Sequence, residues 1–201
     1  MKFNVIIADP PWKFDDKLTM SSVKRGAESQ YKGVLSVDDI VNIDVQSIVG
    51  DWGVLALWVP SSMLSDGLRT MTSWGFRQTT TYVWGKTTKS GKIEFGMGRM
   101  FRGSHEIALI GTCGKPYANL QNKSQRSLIV DEDLQSDFEL ALNEMHSKKP
   151  QNLHNSFNLM FPDAKKLELF ARRHTEGWTC TGNELDGLDV RESLAKLKES
   201  Q

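Results

Sequence analysis

The apolar residues of this chain gather into short, near-continuous runs, and that habit constrains its fold more than any other feature. Phe3 to Ala8, Gly53 to Val59, Thr79 to Trp84, Glu106 to Gly111, Ser127 to Val130 and Leu167 to Ala171 read as strands with few polar interruptions. A strand wetted on one face alternates apolar with polar residues, whereas an uninterrupted one is buried on both faces. Helix-period segments lie between the runs. Val37 to Val49 opens on Ser36 with Asp38 and Asp39 in its first turn, and Ser61 to Trp74 is capped by Ser61 and stopped by Gly75. Pro150 to Met160 has proline at its first position. This alternation predicts an α/β fold, with a parallel sheet covered by helices on both faces.

With 201 residues, 39% of them hydrophobic, the chain suits a single domain over 1–201 with a sizeable core. Its 25 Lys plus Arg offset its 25 Asp plus Glu, so no global field draws it onto nucleic acid or anionic lipid. An anionic partner must therefore be met by local patches. Two long segments supply them: residues 12–35, with Lys13, Lys17, Lys24, Arg25 and Lys32, and residues 85–103, with Lys86, Lys89, Lys92, Arg99 and Arg102 among glycines. The opening apolar run is cut short by Asp9 and Pro10, and no apolar segment of membrane length follows. These features predict a cytoplasmic protein with no membrane partner. Cys113 and Cys180 stand far apart, as suits a reducing compartment, and His105, His146, His154 and His174 lack ligand spacing, so no metal is expected. Phosphate-loop and dinucleotide fingerprints are absent.

The sharpest motif is Asp9-Pro10-Pro11-Trp12, directly after the first strand. An acid at that position lies at the carboxyl edge of the sheet, where open α/β sheets bind ligands. The prolines remove two backbone donors and stiffen the turn, leaving carbonyls as acceptors beside an apolar wall. Such a rigid acceptor site suits the exocyclic amine of adenine, a poor nucleophile because its lone pair is delocalised into the ring. The Asp9 carboxylate and the Pro10 carbonyl would accept its two hydrogens while Trp12 stacks on or walls in the base. No strong base is needed, because the nitrogen becomes acidic once it has taken the methyl group.

At these residues the chain resembles the amino-methyltransferases, and within them the family of the messenger-RNA adenosine methyltransferase catalytic subunit and its microbial DNA-adenine relatives. The resemblance covers almost the whole chain. After the signature come Tyr31 in Gln-Tyr-Lys-Gly, Ser36-Val37-Asp38-Asp39, Leu57-Trp58-Val59, Trp74-Gly75-Phe76 and Val83-Trp84-Gly85-Lys86. The Arg102 to Gly114 stretch, Lys149-Pro150, Leu167 to Arg172 and Gly177-Trp178 through Gly182-Asn183-Glu184 complete the series. The resemblance implies a Rossmann-like S-adenosylmethionine-dependent methyltransferase fold in permuted order, with the catalytic motif early and the cofactor strand late. It implies Asp9, Pro10, Pro11 and Trp12 as the catalytic motif, with Asp9 also at the cofactor. Lys149 would hold the methionine carboxylate, while Arg172, His174, Asn183 and Glu184 would line the ribose and adenosine. Tyr31 and Glu106 would border the target adenine. The chain departs from the eukaryotic catalytic subunit at Thr175, where that protein has asparagine, and at Glu184, where it has glutamine.

A flipped or single-stranded adenine is the expected acceptor, because a stacked base is out of reach. DNA is favoured, with RNA adenosine as the alternative, and a non-catalytic nucleic-acid-binding subunit of a heterodimer as the rival from another class. Intact Asp9, Trp12 and Lys149 argue against that rival. A homodimer or a partner subunit would extend the small recognition surface. Lys89, Lys92, Arg99 and Arg102 are the candidate nucleic-acid contacts. Reversing these four to Glu is expected to abolish nucleic-acid binding while S-adenosylmethionine affinity, measured by calorimetry, stays intact.

Overall fold

A computed structural model of the chain describes residues 2–13, 35–88, 90–96, 100–132 and 149–199. A seven-stranded sheet forms its centre, in the order β5-β3-β4-β2-β1-β6-β7. The strands are β1 (Phe3–Ala8), β2 (Val49–Val59), β3 (Arg77–Thr87), β4 (His105–Cys113), β5 (Leu128–Glu132), β6 (Lys166–Leu169) and β7 (Thr179–Thr181). The helices are α1 (Val37–Val41), α2 (Leu64–Ser73), α3 (Asn152–Met160), α4 (Asn183–Asp186) and α5 (Val190–Glu199). This is the Rossmann-like α/β architecture expected of a methyltransferase.

The expectation of an all-parallel sheet is corrected. β1 pairs in parallel with β2 and β6, β6 with β7 and β3 with β5, but β4 runs antiparallel to both β2 and β3. A strand inserted in reverse keeps its near-continuous apolar run, because burial on both faces is indifferent to direction. Periodicity therefore could not report it. The reversal has a consequence for the site: the end of β3 and the start of β4 lie on the same edge as the ends of β1, β2 and β6. The start of β4 thus stands beside Asp9, with His105 and Glu106 lining the same cleft.

Both faces of the sheet are buried. Phe3, Ile6 and Ala8 pack with Ile40, Met71, Val190 and Leu194, so α1, α2 and α5 cover one face. Val5, Ile7, Val54 and Trp58 pack with Leu153 and Phe157 of α3 on the other. At about 25 cal/mol for each Å² of apolar surface removed from water, these two layers supply the main force that holds the sheet.

The predicted helix over Val37–Val49 breaks early. Ser36 does cap it, with its hydroxyl accepting the Asp39 N–H at 3.1 Å and the Asp39 carboxylate accepting the Ser36 N–H at 3.3 Å. The helix nevertheless ends at Val41, and Val45 and Ile48, whose spacing imitated a helical face, enter the core from a turn and a short 3-10 segment. β2 consequently begins at Val49 rather than Gly53. The second predicted helix opens with a 3-10 turn at Ser61–Met63, so Ser61 is not its cap, while Gly75 stops it in the left-handed conformation at φ 82°. α3 starts at Asn152, just beyond Pro150. β6 stops at Leu169, because Phe170 turns left-handed at φ 62° and starts the loop that carries Arg172.

That loop is braced from behind by Gly182. A Cβ there would lie 2.2 Å from the Ala171 carbonyl oxygen and 2.8 Å from its nitrogen, and the Ala171 N–H donates to the Thr181 carbonyl at 2.9 Å. The φ of 173° is ordinary extended backbone, so the requirement for glycine is one of space. Gly182→Ala is expected to destabilise the fold by about 1–3 kcal/mol, the usual cost of overpacking, read as a lower urea midpoint.

Candidate active site

The carboxyl ends of β1 and β2, the start of β4 and the head of α3 enclose a cleft of about 260 Å³ that contains Asp9, Glu106, Lys149 and Arg172. Lys149 sits at its centre. Its Nζ lies 2.9 Å from Asp9 Oδ2 and 3.1 Å from Glu106 Oε2, with the Trp58 ring centroid 5.5 Å away. Lys86, at the end of β3, closes the chain of charges at 2.7 Å from Glu106 Oε1 and 4.8 Å from the Trp84 ring centroid. Residues separated by up to 140 positions in sequence meet here because each stands at the same edge of the sheet.

Burial and pairing compete at each charge. Burial pushes the Asp9 carboxyl above its ordinary pKa, and Lys149 only partly opposes it. Burial pushes Glu106 the same way, but Lys149 and Lys86 outweigh it and hold that carboxyl below its usual range. Burial would lower Lys149, yet its two carboxylates win and raise it, so the ammonium stays charged. Of the two acids, Asp9 is the one poised closer to a proton.

The Asp-Pro-Pro-Trp turn is more engaged than its sequence suggests. The Pro10 carbonyl accepts the Trp12 N–H at 2.8 Å, and the Pro11 carbonyl accepts the Leu35 N–H at 3.1 Å. One lone pair of the Pro10 oxygen is left for a further donor. Trp12 is only 4% exposed and its indole N–H donates to the Trp58 carbonyl at 2.9 Å. The ring therefore forms part of the cleft wall and fixes the turn, with no open face on which a base could stack.

The loop after β6 approaches the same cleft. Arg172 lines it and lies 3.5 Å from Glu184 at the start of α4, while Arg173 ties the loop to α3 by donating to the Gln151 side chain at 3.0 Å. Behind it, Glu168 Oε2 meets His154 Nε2 at 2.8 Å and accepts the Thr175 hydroxyl at 3.2 Å. Thr175 thus turns inward and anchors the loop. His174 and Asn183 are exposed on the adjoining surface and are not among the residues lining the cleft.

The structure brings together Asp9, Pro10, Pro11, Trp12, Glu106, Lys149 and Arg172, with Glu184 at the rim. Lys92 and Arg102 are exposed on the segment joining β3 to β4. Tyr31, Lys89 and Arg99 lie outside the described residues. Sequence reasoning placed Lys86 only in the basic segment meant for an anionic partner and gave Trp58 no site role. The strand-ending positions of both were available as a signal, but without the direction of β3 nothing placed Lys86 opposite Glu106.

The charges suit a zwitterionic ligand. An amino acid group presents a carboxylate to a cation such as Lys149 and an ammonium to an anion such as Asp9, and Glu184 beside Arg172 offers acceptors to a diol. The sequence pattern of the MT-A70 family matches residues 3–184. The chain belongs to the MT-A70 family. It is 28% identical to an Arabidopsis thaliana protein named N(6)-adenosine-methyltransferase MT-A70-like, over 98% of this chain and 26% of the relative. The Homo sapiens N(6)-adenosine-methyltransferase catalytic subunit METTL3 is 26% identical over 94% of this chain and 29% of its own length. The Type II methyltransferase M.MunI of a Mycoplasma species is 28% identical over 92% of this chain and 78% of its own length. The chain thus spans about a quarter of the length of the first plant relative. Among the described residues no helix is long and apolar enough to cross a membrane.

Because Lys149 opposes the effect of burial on Asp9, Lys149→Met is expected to raise the Asp9 pKa further. Carbon-detected NMR titration of the Asp9 carboxyl should show a midpoint above the usual value of about 3.9 in the parent, and a higher one in the variant.

Proposed function

We propose that this MT-A70 chain transfers a methyl group from S-adenosylmethionine to the exocyclic amine of adenine, with DNA as the favoured acceptor. The observation that carries the reading is the half-buried Asp9 carboxylate next to the Pro10 carbonyl, two acceptors on one rigid turn, beside the Lys149 ammonium. The bacterial type II methyltransferase, matched over most of its own length, supports DNA, and the N(6)-adenosine-methyltransferases support the same chemistry on RNA.

The donor supplies an electrophilic methyl carbon when bound. Lys149 would hold its carboxylate, and Asp9 and Glu184 would accept hydrogen bonds from its ammonium and ribose hydroxyls, with Arg172, His174 and Asn183 flanking. Asp9 and Pro10 would accept the two hydrogens of the adenine amine and fix the direction of its lone pair, as in-line transfer requires. Glu106 stays ionised between Lys86 and Lys149 and gives the far side of the base an acceptor. Once the amine has taken the methyl group its nitrogen would be cationic, and its excess proton would pass to the Asp9 carboxylate or to water. The raised pKa of Asp9 suits it to take that proton. Trp12 holds the turn rigid, and rigidity matters because a displacement of 1 Å costs about a hundredfold in rate. Tyr31, Lys89, Lys92, Arg99 and Arg102 are assigned to the nucleic acid. A second copy or a partner subunit would enlarge the recognition surface.

Transfer of labelled methyl to duplex DNA, single-stranded DNA and RNA, with the product nucleoside identified by mass spectrometry, tests the proposal. N6-methyladenine is expected in the DNA pools. Asp9→Ala should reduce transfer at least about a hundredfold, as loss of a group that stabilises developing charge does, with donor affinity changed only modestly. An active Asp9→Ala protein would overturn the mechanism.

A further inference from the structure

Among the described residues that join β3 to β4, several large apolar side chains are exposed. Ile93 is 70% exposed, Phe95 64%, Met100 86% and Phe101 82%. Keeping so many large apolar groups in water has a cost that a folded chain ordinarily avoids, and a cluster of them marks a contact surface. Their setting is fixed. The segment doubles back on the end of β3: Glu94 donates its N–H to the Lys86 carbonyl at 2.9 Å, Gly96 to Gly103 at 2.7 Å, and Lys86 to Ser104 at 3.0 Å. Lys86 is also the residue whose ammonium pairs with Glu106 inside the cleft. The apolar residues are therefore rooted in the same backbone that closes the site.

Charge identifies the occupant. The segment contains Lys89, Lys92, Arg99 and Arg102 against the single acid Glu94. The Arg102 guanidinium stands 5.9 Å from the Phe95 ring centroid. Cations interleaved with exposed aromatics match a ligand that offers phosphates and flat π-faces together, which is an unstacked stretch of nucleic acid. A second protein copy would be met by an apolar patch without this excess of positive charge. Resting on the adenine-methyltransferase reading of the cleft, we propose that Ile93, Phe95, Met100 and Phe101 form a stacking platform for the bases that flank the target adenine. A base drawn into the Asp9 cleft leaves its neighbours unstacked, and side chains on the segment tied to Lys86 take the place of the lost stacking.

Binding of a fluorescein-labelled, adenine-containing oligonucleotide of about 20 nucleotides, longer than ordinary single-strand sites, tests the proposal by anisotropy across a salt series. The oligonucleotide is used as single-stranded DNA, as the same sequence in RNA and as duplex DNA, so that its arms separate the two nucleic acids. The Phe95→Ala, Phe101→Ala double variant should lose about tenfold or more in affinity for single strands, with the slope of log affinity against log salt unchanged, because no phosphate contact is removed. Phe95→Tyr with Phe101→Tyr, which keeps the rings, should bind as the parent does. Lys92→Gln with Arg102→Gln should instead flatten the slope by about 1.4, two contacts at roughly 0.7 each. Unchanged affinity in the alanine double variant, with methyl transfer intact, would overturn the platform and leave the enzymatic reading standing. A shift from dimer to monomer on sedimentation, without a change in oligonucleotide affinity, would likewise overturn it and assign the patch to protein contact. A parent protein that binds none of the three probes and transfers no methyl would overturn both readings.

Discussion

The ion network Asp9–Lys149–Glu106–Lys86 is the interaction on which the rest of the site depends. It ties β1, the head of α3, β4 and β3 together at one edge of the sheet, with spacings of 2.9, 3.1 and 2.7 Å. Lys149 is only 13% exposed. At that depth an unpaired charge is costly, because a charge that loses its partner is stranded away from full solvation. Without Lys149, two carboxylates would face each other across the cleft. The site is therefore set up to hold a ligand that brings its own opposed charges, which can exchange for those already present without stranding any of them.

Mechanical support for this network comes from polar contacts behind the cleft. The Trp12 indole hydrogen bond to the Trp58 carbonyl locks the Asp-Pro-Pro-Trp turn to β2. Glu168, engaged by His154 and Thr175, locks the loop after β6, and Arg173 couples that loop to α3. Gly182 lets the backbone of this loop come close enough for the coupling to work. None of these side-chain contacts uses a cleft charge itself, yet each restricts an element that carries one. This is how a cleft on loops acquires the rigidity that in-line transfer demands.

Much of this was legible in the sequence, and the parts that were not share a cause. All six predicted strands exist, because long apolar runs bounded by turn residues have few other ways to be buried. β7, α4 and α5 went unseen: β7 is three residues long and α4 four, too short for a period to show. The helix over Val37–Val49 was overextended because Val45 and Ile48 satisfy a helical spacing while being buried from irregular backbone. The chemistry of Trp12 left open whether it stacks on or walls in the base, and only packing, which covers its face, settles on the wall.

The sequence by itself determined the α/β class, the rigid acceptor turn at the end of β1 and the membership that the ordered motifs imply, since these depend on local propensity and on residue identity along the chain. Only the tertiary structure decided that β4 runs backwards, and with it that Lys86 and Glu106 stand at the same edge as Lys149. The reason is physical. Burial on both faces fixes which residues are apolar and leaves strand direction unmarked, whereas the meeting of charges from four separate elements follows from direction alone.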